Sequence, residues 1–111
     1  MNSILSSLGL IKKAGHLITG SDEVIDTVRS GKAEVVVLAS DSSENTKKRV
    51  SDKTKTYGVR LEEIPFTREE LGQATGKASC ACAAICGSDF ALLYEKAKNK
   101  NTEVNKCQKK N

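Results

Sequence analysis

The sequence lacks any long hydrophobic run. No stretch of apolar residues approaches the ~18 that a helix needs to cross a bilayer. The N-terminus also lacks the basic flank, long apolar block and small-residue cleavage site of a secretory signal. We therefore expect a protein that stays in the cytoplasm and binds no membrane.

Histidine is nearly absent, which restricts the chemistry that the chain could catalyse. His16 is the only histidine, so any histidine-dependent nucleophile or general base would have to use it. Its neighbours are Gly15 and Leu17, and no Ser or Cys stands nearby at a sharp turn. An exposed or capping histidine at a helix end is the simpler interpretation. We expect no enzymatic activity.

A segment that contains glycine and lysine, residues 72–79, lacks the spacing of a phosphate-binding loop. Such a loop has four residues between its glycines and a Ser or Thr directly after the Lys. Here only residues 73–75 separate Gly72 from Gly76, and Ala78 follows Lys77. The segment also leaves a predicted helix and enters a predicted strand, the reverse of the order that directs N–H groups at a phosphate. This pattern does not favour nucleotide hydrolysis, and we expect no cofactor.

Cysteine is present four times, and three cysteines crowd into residues 80–86. The spacing Cys80-x-Cys82-x3-Cys86 differs from the C-x2-C pair of common zinc sites. On a strand these three residues would share one face and pack as small hydrophobic side chains. We prefer that interpretation to a thiol-based metal or redox module, and we expect reduced thiols and no bound metal.

The composition is that of one globular domain. Hydrophobic residues make up 38% and charged residues 29% of the 111 residues. Lys and Arg outnumber Asp and Glu by 18 to 14, which permits an anionic partner without requiring one. Apolar residues almost vanish after residue 97. We predict one domain over residues 1–97, a flexible Lys- and Asn-rich tail over residues 98–111, and a monomer.

Helix and strand signals alternate along the chain. The β-branched run of residues 34–39 predicts a central strand that is buried on both faces. Asp41 with Glu44, and Thr67 with Glu70, resemble capping boxes, and Val50 is the main apolar anchor of the helix between them. The predicted helices cover residues 3–14, 21–30, 41–56, 67–75 and 89–97, and the predicted strands cover residues 17–19, 34–39, 59–64 and 78–86. This order favours an α/β fold, a three-layer α-β-α sandwich with a mixed, roughly four-stranded central sheet.

The segment Thr19-Gly20-Ser21-Asp22-Glu23 stands at the predicted start of the second helix. A glycine before the first helical turn lets another backbone come close. The two acids either complement the helix dipole or accept hydrogen bonds from base amino groups. The residues alone leave both interpretations open.

Four motifs together are more specific than any one of them. They are Leu8-Gly9-Leu10, Ile18-Thr19-Gly20-Ser21-Asp22-Glu23-Val24, the segment 31–39 and the segment 70–77. The pattern, over about residues 3–95, resembles the L7Ae/L30e family of ribosomal proteins and its bacterial kink-turn-binding relatives. The resemblance implies a three-layer sandwich that grips a sharply bent RNA at sheared G·A pairs. It makes structured RNA, of kink-turn or ribosomal kind, the expected partner, with the ribosome as a candidate assembly.

The resemblance also assigns residues to RNA binding. They form a base-reading turn, a neighbouring helix start, a loop over a flipped-out nucleotide and a set of phosphate-holding lysines. In that order they are Gly20, Ser21, Asp22 and Glu23; Asn45 and Thr46; Lys77, Ala78 and Ser79; and Lys12, Lys13 and Lys32.

Two acids depart from the family's pattern. Asp22 stands where many members carry Asn or Lys, and Asp26 stands where a Lys commonly follows one turn later. Both put negative charge near phosphates, so we expect weaker or differently tuned RNA binding unless lysines compensate. The same acids motivate an alternative, a protein-interaction or assembly module that kept this fold with weakened RNA affinity.

Overall fold

The computed structural model describes the backbone of residues 3–110 and the side chains of residues 3–99. Helices and strands alternate as predicted. The helices are α1 (Ser3–Lys13), α2 (Ser21–Arg29), α3 (Glu44–Tyr57), α4 (Arg68–Thr75) and α5 (Ser88–Lys110), and the strands are β1 (Leu17–Thr19), β2 (Ala33–Ala39), β3 (Arg60–Ile64) and β4 (Cys82–Cys86). Within the part of the chain described here, no helix combines the length and hydropathy that a membrane crossing requires.

The strands form one mixed sheet in the order β1-β4-β2-β3. β4 is antiparallel to β1 and β2, whereas β2 and β3 are parallel. The N-terminal end of β4 therefore lies beside the C-terminal ends of β1 and β2, where Thr19 pairs with Ala83 and Leu38 with Cys82. As a result, the β1–α2, β2–α3 and α4–β4 connections meet at one end of the sheet.

Helices cover both faces of the sheet, and a separate hydrophobic cluster lies under each layer. Leu8 of α1, Leu71 of α4 and Tyr94 of α5 pack in one cluster. Val24 of α2 and Val50 of α3 pack in the other. Each of these side chains is fully buried, and burying a Leu or Val contributes about 1.5–3 kcal/mol. The predicted three-layer α-β-α sandwich with its central β2 strand is confirmed.

The predicted start of α3 is wrong. Its N-cap is Ser43, whose hydroxyl accepts a hydrogen bond from the Thr46 N–H at 3.2 Å. The carboxylate of Asp41 instead accepts a hydrogen bond from the Arg68 N–H at 2.7 Å. Asp41 therefore ties the β2–α3 connection to the start of α4. The capping box of α4, formed by Thr67 and Glu70, is present as predicted.

β4 begins at Cys82, later than the predicted residue 78. Before it, residues 76–81 form a loop, and the backbone of Lys77 and Cys80 binds α4. The Cys80 N–H donates to the Arg68 carbonyl at 2.9 Å, and the Lys77 N–H donates to the Gly72 carbonyl at 2.8 Å. Gly72 permits this packing, because a Cβ there would lie 2.6 Å from the Cα of Ser79.

The three clustered cysteines do not share one face, contrary to the prediction. Cys80 packs in the cluster under α1, α4 and α5, and Cys82 packs in the cluster under α2 and α3. Burial raises the pKa of the Cys80 thiol and raises the pKa of Cys82 to about 12. Among the side chains of residues 3–99, no group of three His, Cys, Asp or Glu residues is placed to hold a metal ion.

α5 continues to Lys110, past residue 97, where the sequence pattern predicted its end. Its early turns bind the edge strand β3 through Glu62, which accepts hydrogen bonds of 2.8 Å from the Tyr94 hydroxyl and from Lys98 Nζ. Burial raises the pKa of Glu62, but hydrogen bonds from Lys98, Tyr94 and Arg60 outweigh it, and the net effect lowers this pKa below its ordinary value. The side chains after residue 99 lie outside the described residues, and mobility of the segment 98–111 stays a prediction.

Candidate nucleic-acid interface

The turn at Gly20 joins β1 to α2 at the end of the sheet where the three connections meet. Gly20 is the N-cap of α2, with φ 97° and ψ 137°, a conformation that glycine adopts readily and other residues rarely. A Cβ at this position would lie 3.1 Å from Oε1 of Glu23. Asp22 and Glu23 are exposed, whereas Gly20 and Ser21 are half-buried, and the Glu23 carboxylate lies over Gly20. Backbone N–H groups at such a helix start attract anions.

Arg49 of α3 reaches the same turn. Its Nη2 donates a hydrogen bond to Oδ1 of Asp22 at 2.8 Å, and both side chains are largely exposed. An exposed pair of this kind contributes only about 0–1 kcal/mol, so the guanidinium is readily shared with an incoming anion. Arg49 was missed from the sequence, because 27 residues separate it from Asp22 and no local motif includes it.

Asn45 and Thr46, in the first turn of α3, are the next predicted RNA-binding residues. Asn45 is exposed in the first turn of α3, one helical turn before Arg49, and residues four apart share a helix face. Asn45 therefore lies on the same face of α3 as Arg49. Thr46 is less available, because its hydroxyl accepts a hydrogen bond from the Ser43 hydroxyl at 3.0 Å and its side chain is half-buried.

The loop of residues 76–81 borders the Gly20 turn. The Gly20 N–H lies 3.3 Å from the Cys82 carbonyl, and the Gly20 backbone also hydrogen-bonds to the Cys80 thiol. The three loop residues predicted to bind RNA are all exposed; they are Lys77, Ala78 and Ser79. The loop therefore presents a cation and two small side chains beside the turn.

A shared backbone acceptor holds this loop to the end of β2 and to the β2–α3 connection. The Ala81 carbonyl accepts hydrogen bonds from the Ala39 N–H at 2.8 Å and from the Ser42 hydroxyl at 2.9 Å. Consequently the three segments have fixed relative positions. We call the surface that they form the sheet-end surface; its members are residues 20–23, Asn45, Thr46, Arg49 and residues 77–79.

The other predicted lysines lie farther from this surface. Lys12 and Lys13 end α1 and line a groove that also contains Gly76, so they approach the loop from the side of α1. Lys32 follows α2 and precedes β2, whose first residue pairs with Cys86 at the opposite end of the sheet. The structure does not bring Lys32 to the Gly20 turn.

Each acid that departs from the family pattern has an arginine beside it. Asp22 pairs with Arg49, and Asp26 lies 3.9 Å from Arg29 on α2. The negative charge at the start of α2 is thus partly offset. The sheet-end surface combines donors suited to phosphates, from Arg49, Lys77 and the α2 N-terminus, with acceptors suited to base amino groups, from Glu23.

Comparisons with known proteins place the chain in one family. The model of the Ribosomal protein L7Ae/L30e/S12e/Gadd45 family matches residues 2–91. The chain is similar to the RNA-binding protein YlxQ of Enterococcus faecium, with 44% identity over 73 residues that cover 66% of this chain and 70% of that protein. It is 36% identical to the RNA-binding protein YlxQ of Bacillus subtilis (strain 168) over 84 residues, 76% of this chain and 83% of that protein.

Solved structures share the fold. A Bacillus halodurans protein of unknown function superposes with a TM-score of 0.75 and 32% sequence identity. The superposition covers 83% of this chain and 96% of that chain. The layer arrangement described above is therefore shared over nearly the whole of the second protein.

Proposed function

The chain belongs to the ribosomal protein L7Ae/L30e/S12e/Gadd45 family, and from this premise we propose that it is a non-enzymatic protein that binds structured RNA of the kink-turn kind. The observation that carries the proposal is the exposed Gly20 turn, with Arg49 on one side and the loop of residues 76–81 on the other. The names of the two YlxQ relatives, both RNA-binding proteins, support it.

The proposed contacts follow from the chemistry of each side chain. The absence of a side chain at Gly20 lets a sugar-phosphate backbone approach the start of α2, where N–H groups favour its charge. Glu23 accepts hydrogen bonds from base amino groups in the groove that faces the turn. Arg49 and Lys77 neutralise phosphates on either side, and Asn45 adds a polar contact from α3.

The small loop residues and the outlying lysines have supporting roles in the proposal. Ala78 and Ser79 let a nucleotide lie against the loop beside Lys77. Lys12 and Lys13 would meet phosphates beyond this loop, and Lys32 would meet only an RNA strand that extends along α2. Since the family includes ribosomal proteins, a ribosomal RNA is the natural second RNA to test, and a ribosomal partner would place the protein in the cytoplasm.

A gel-shift titration tests the proposal. The probes are a kink-turn RNA and a straight duplex of the same base composition, each at two salt concentrations, with the protein at low concentration. We expect a shift for the kink-turn RNA that weakens steeply with salt and is at least about tenfold stronger than for the duplex, since shape and base contacts are each worth about 1–3 kcal/mol.

Two variants and one control locate the binding surface. Glu23→Ala and Gly20→Val should each weaken the kink-turn shift about tenfold or more, because a base contact or close approach is worth about 1–3 kcal/mol. Glu34→Ala removes an exposed glutamate at the other end of the sheet and should leave the shift unchanged. Equal shifts with both RNAs, or no shift at all, would instead favour the assembly-module alternative.

A further inference from the structure

The outer face of α1 carries an apolar groove that the proposed RNA contacts do not explain. On one side, between α1 and α4, lies a cavity of about 570 Å³; on the other, between α1 and α5, lies one of about 350 Å³. Leu10 lines both cavities and is 57% exposed. We call the combined feature the α1 groove; its apolar members are Leu5, Leu10, Ala74, Leu93 and Ala97.

The close packing of two helices shapes the floor of this groove. A Cβ at Gly9 would lie 2.9 Å from the carbonyl oxygen of Ala74, so the backbones of α1 and α4 meet there without a side chain between them. Leu10 stands beside this contact, Leu93 lines the cavity on the other side of Leu10, and both are exposed large hydrophobic residues. Single exposed leucines are ordinary, whereas leucines that border a concavity are typical of binding grooves.

The charges around the α1 groove have one sign among the side chains that the structure describes. Those that line the two cavities include Lys12, Lys13 and Lys96 and no acid. Within residues 3–99, none of these lysines forms an ion pair. An occupant of complementary chemistry would carry large apolar side chains on one face and carboxylates beside them.

We propose that the α1 groove docks an acidic amphipathic α-helix of a partner protein. The 11 residues of α1 span about 16 Å, the length of roughly three helical turns, which is enough for apolar anchors at positions i, i+3 or i+4, and i+7 of the partner. Glutamates or aspartates that flank these anchors would meet the three lysines. The occupant is thus defined by its leucine-like face and its acidic flanks.

Nucleic acid and membrane fit the α1 groove less well. Unpaired bases bind chiefly by stacking on aromatic rings, and the lining is aliphatic. A membrane takes up an apolar helix face that lies flat in its interface, whereas this feature is concave on both sides of Leu10. The proposal is independent of the proposed RNA function. Lys12 and Lys13 stand where the two surfaces adjoin, so its tests use Leu10 and Lys96.

A fluorescence-anisotropy titration of the full chain tests the docking. The probe is a labelled synthetic helical peptide of roughly 14 residues, long enough to form a helix, with leucines on one face and glutamates elsewhere. A second peptide has lysines in place of the glutamates. We expect saturable binding of the acidic peptide, weaker at high salt, and at least about tenfold weaker binding of the basic one.

Variants of matched exposure separate the α1 groove from the rest of the surface. Leu10→Glu and Lys96→Glu should each weaken binding of the acidic peptide at least about tenfold, as the loss of an interface anchor does. Leu92→Glu alters a leucine on α5 that is 54% exposed and does not line the groove, and it should bind the peptide as the parent does. Circular dichroism confirms that each variant is folded.

The same variants keep the two proposals distinguishable. Leu10→Glu should retain the kink-turn shift, and Glu23→Ala should retain peptide binding. The docking proposal is overturned by absent or non-saturable binding of the acidic peptide, by equal binding of both peptides, or by an equal loss in Leu92→Glu. It is also overturned if Leu10→Glu weakens the RNA shift, abolishes binding to anionic lipid vesicles, or abolishes a dimer of this chain in sedimentation.

Discussion

Arg49 donates a hydrogen bond of 2.8 Å from its Nη2 atom to the Oδ1 atom of Asp22. The bond joins α3 to the first turn of α2, the element that we propose to enter the RNA. Asp22, which has no basic neighbour in the sequence, is therefore paired with Arg49 in the fold. A phosphate at the start of α2 would meet the Arg49 guanidinium as well as the Asp22 carboxylate.

We expect Arg49→Ala to weaken binding of kink-turn RNA by about five- to tenfold, because one phosphate contact is lost and Asp22 is left without its counter-charge. In a gel-shift series over several salt concentrations, the slope of log K against log salt should fall in magnitude by about 1. The control is Arg29→Ala, another exposed arginine that also pairs with an aspartate but lies at the far end of α2. Equal losses in the two variants would mean that net charge, and not the position of Arg49, governs affinity.

The backbone at Gly20 predicts a stability cost for any side chain there. We expect Gly20→Ala to lower the free energy of unfolding by about 1–3 kcal/mol, the usual cost of a backbone region that is essentially restricted to glycine. Gly58→Ala is the matched control, since Gly58 has an ordinary left-handed conformation with open space around it and should cost about 1 kcal/mol. Urea denaturation of both variants measures the difference. A cost at Gly20 no larger than at Gly58 would contradict the prediction.

Acid should weaken the attachment of α5 to β3. The folded pKa of Glu62 is lowered from its ordinary 4.5, so the ionised carboxylate contributes stability above pH 4.5, and this contribution is lost as the pH falls through the lower folded pKa. We expect Glu62→Gln to destabilise the protein by about 1–2 kcal/mol at pH 7, as loss of hydrogen bonds to a charged group does. The variant should also lose less stability than the parent between pH 5 and pH 3, as urea denaturation at each pH would show.

Glu63→Gln serves as the control for this experiment. Glu63 is the next residue of β3, and its more exposed side chain lies 3.9 Å from Lys47. Its loss should change stability by less than about 0.5 kcal/mol, the usual range for surface substitutions. If Glu63→Gln flattened the acid response as much as Glu62→Gln, the contacts of Glu62 with α5 would not be the cause.

The buried thiols should resist modification. Burial raises the pKa of Cys80 and Cys82, and the thiolate is the reactive form. In the native protein at pH 8 we expect alkylation by iodoacetamide, followed by peptide mass spectrometry, to leave both unmodified while it labels the partly exposed Cys86. Denaturant should make all three react at similar rates. Rapid labelling of Cys82 in the native state would contradict its placement under α2 and α3.

Elements with local causes could be predicted from the sequence. The interior position of β2 follows from its β-branched run, which needs cover on both faces. The capping box of α4 requires only Thr67 and Glu70, which are three residues apart. The start of α2 directly after Gly20 likewise followed from a glycine before a polar, acidic first turn. In each case the physical cause lies within one element.

Features that depend on contacts between elements could not be predicted. Residues 78–81 have the small side chains of a strand, but the Cys80 N–H donates to the Arg68 carbonyl of α4, a contact that no local pattern encodes. The Arg49–Asp22 contact depends on how α2 packs on α3. The two faces assigned to Cys80 and Cys82 depend on where β4 begins. The expectation that the cysteines share one face holds only within a regular strand, and Cys80 lies in the loop before β4.

The Ala81 carbonyl, which accepts from Ala39 at the end of β2 and from Ser42 after it, has a consequence for partially folded chains. The sheet-end surface combines residues 20–23, residues 45–49 and residues 77–79, which are far apart in the sequence. It therefore exists only when β1, β4 and β2 are paired. An RNA that binds there binds only the complete native state. Each tenfold rise in free RNA above its dissociation constant therefore raises the free energy of unfolding by about 1.4 kcal/mol. A change beneath Tyr94, on the other side of the sheet, that left much of the protein unfolded would therefore depress apparent RNA affinity by the fraction unfolded, with every RNA-facing atom in place.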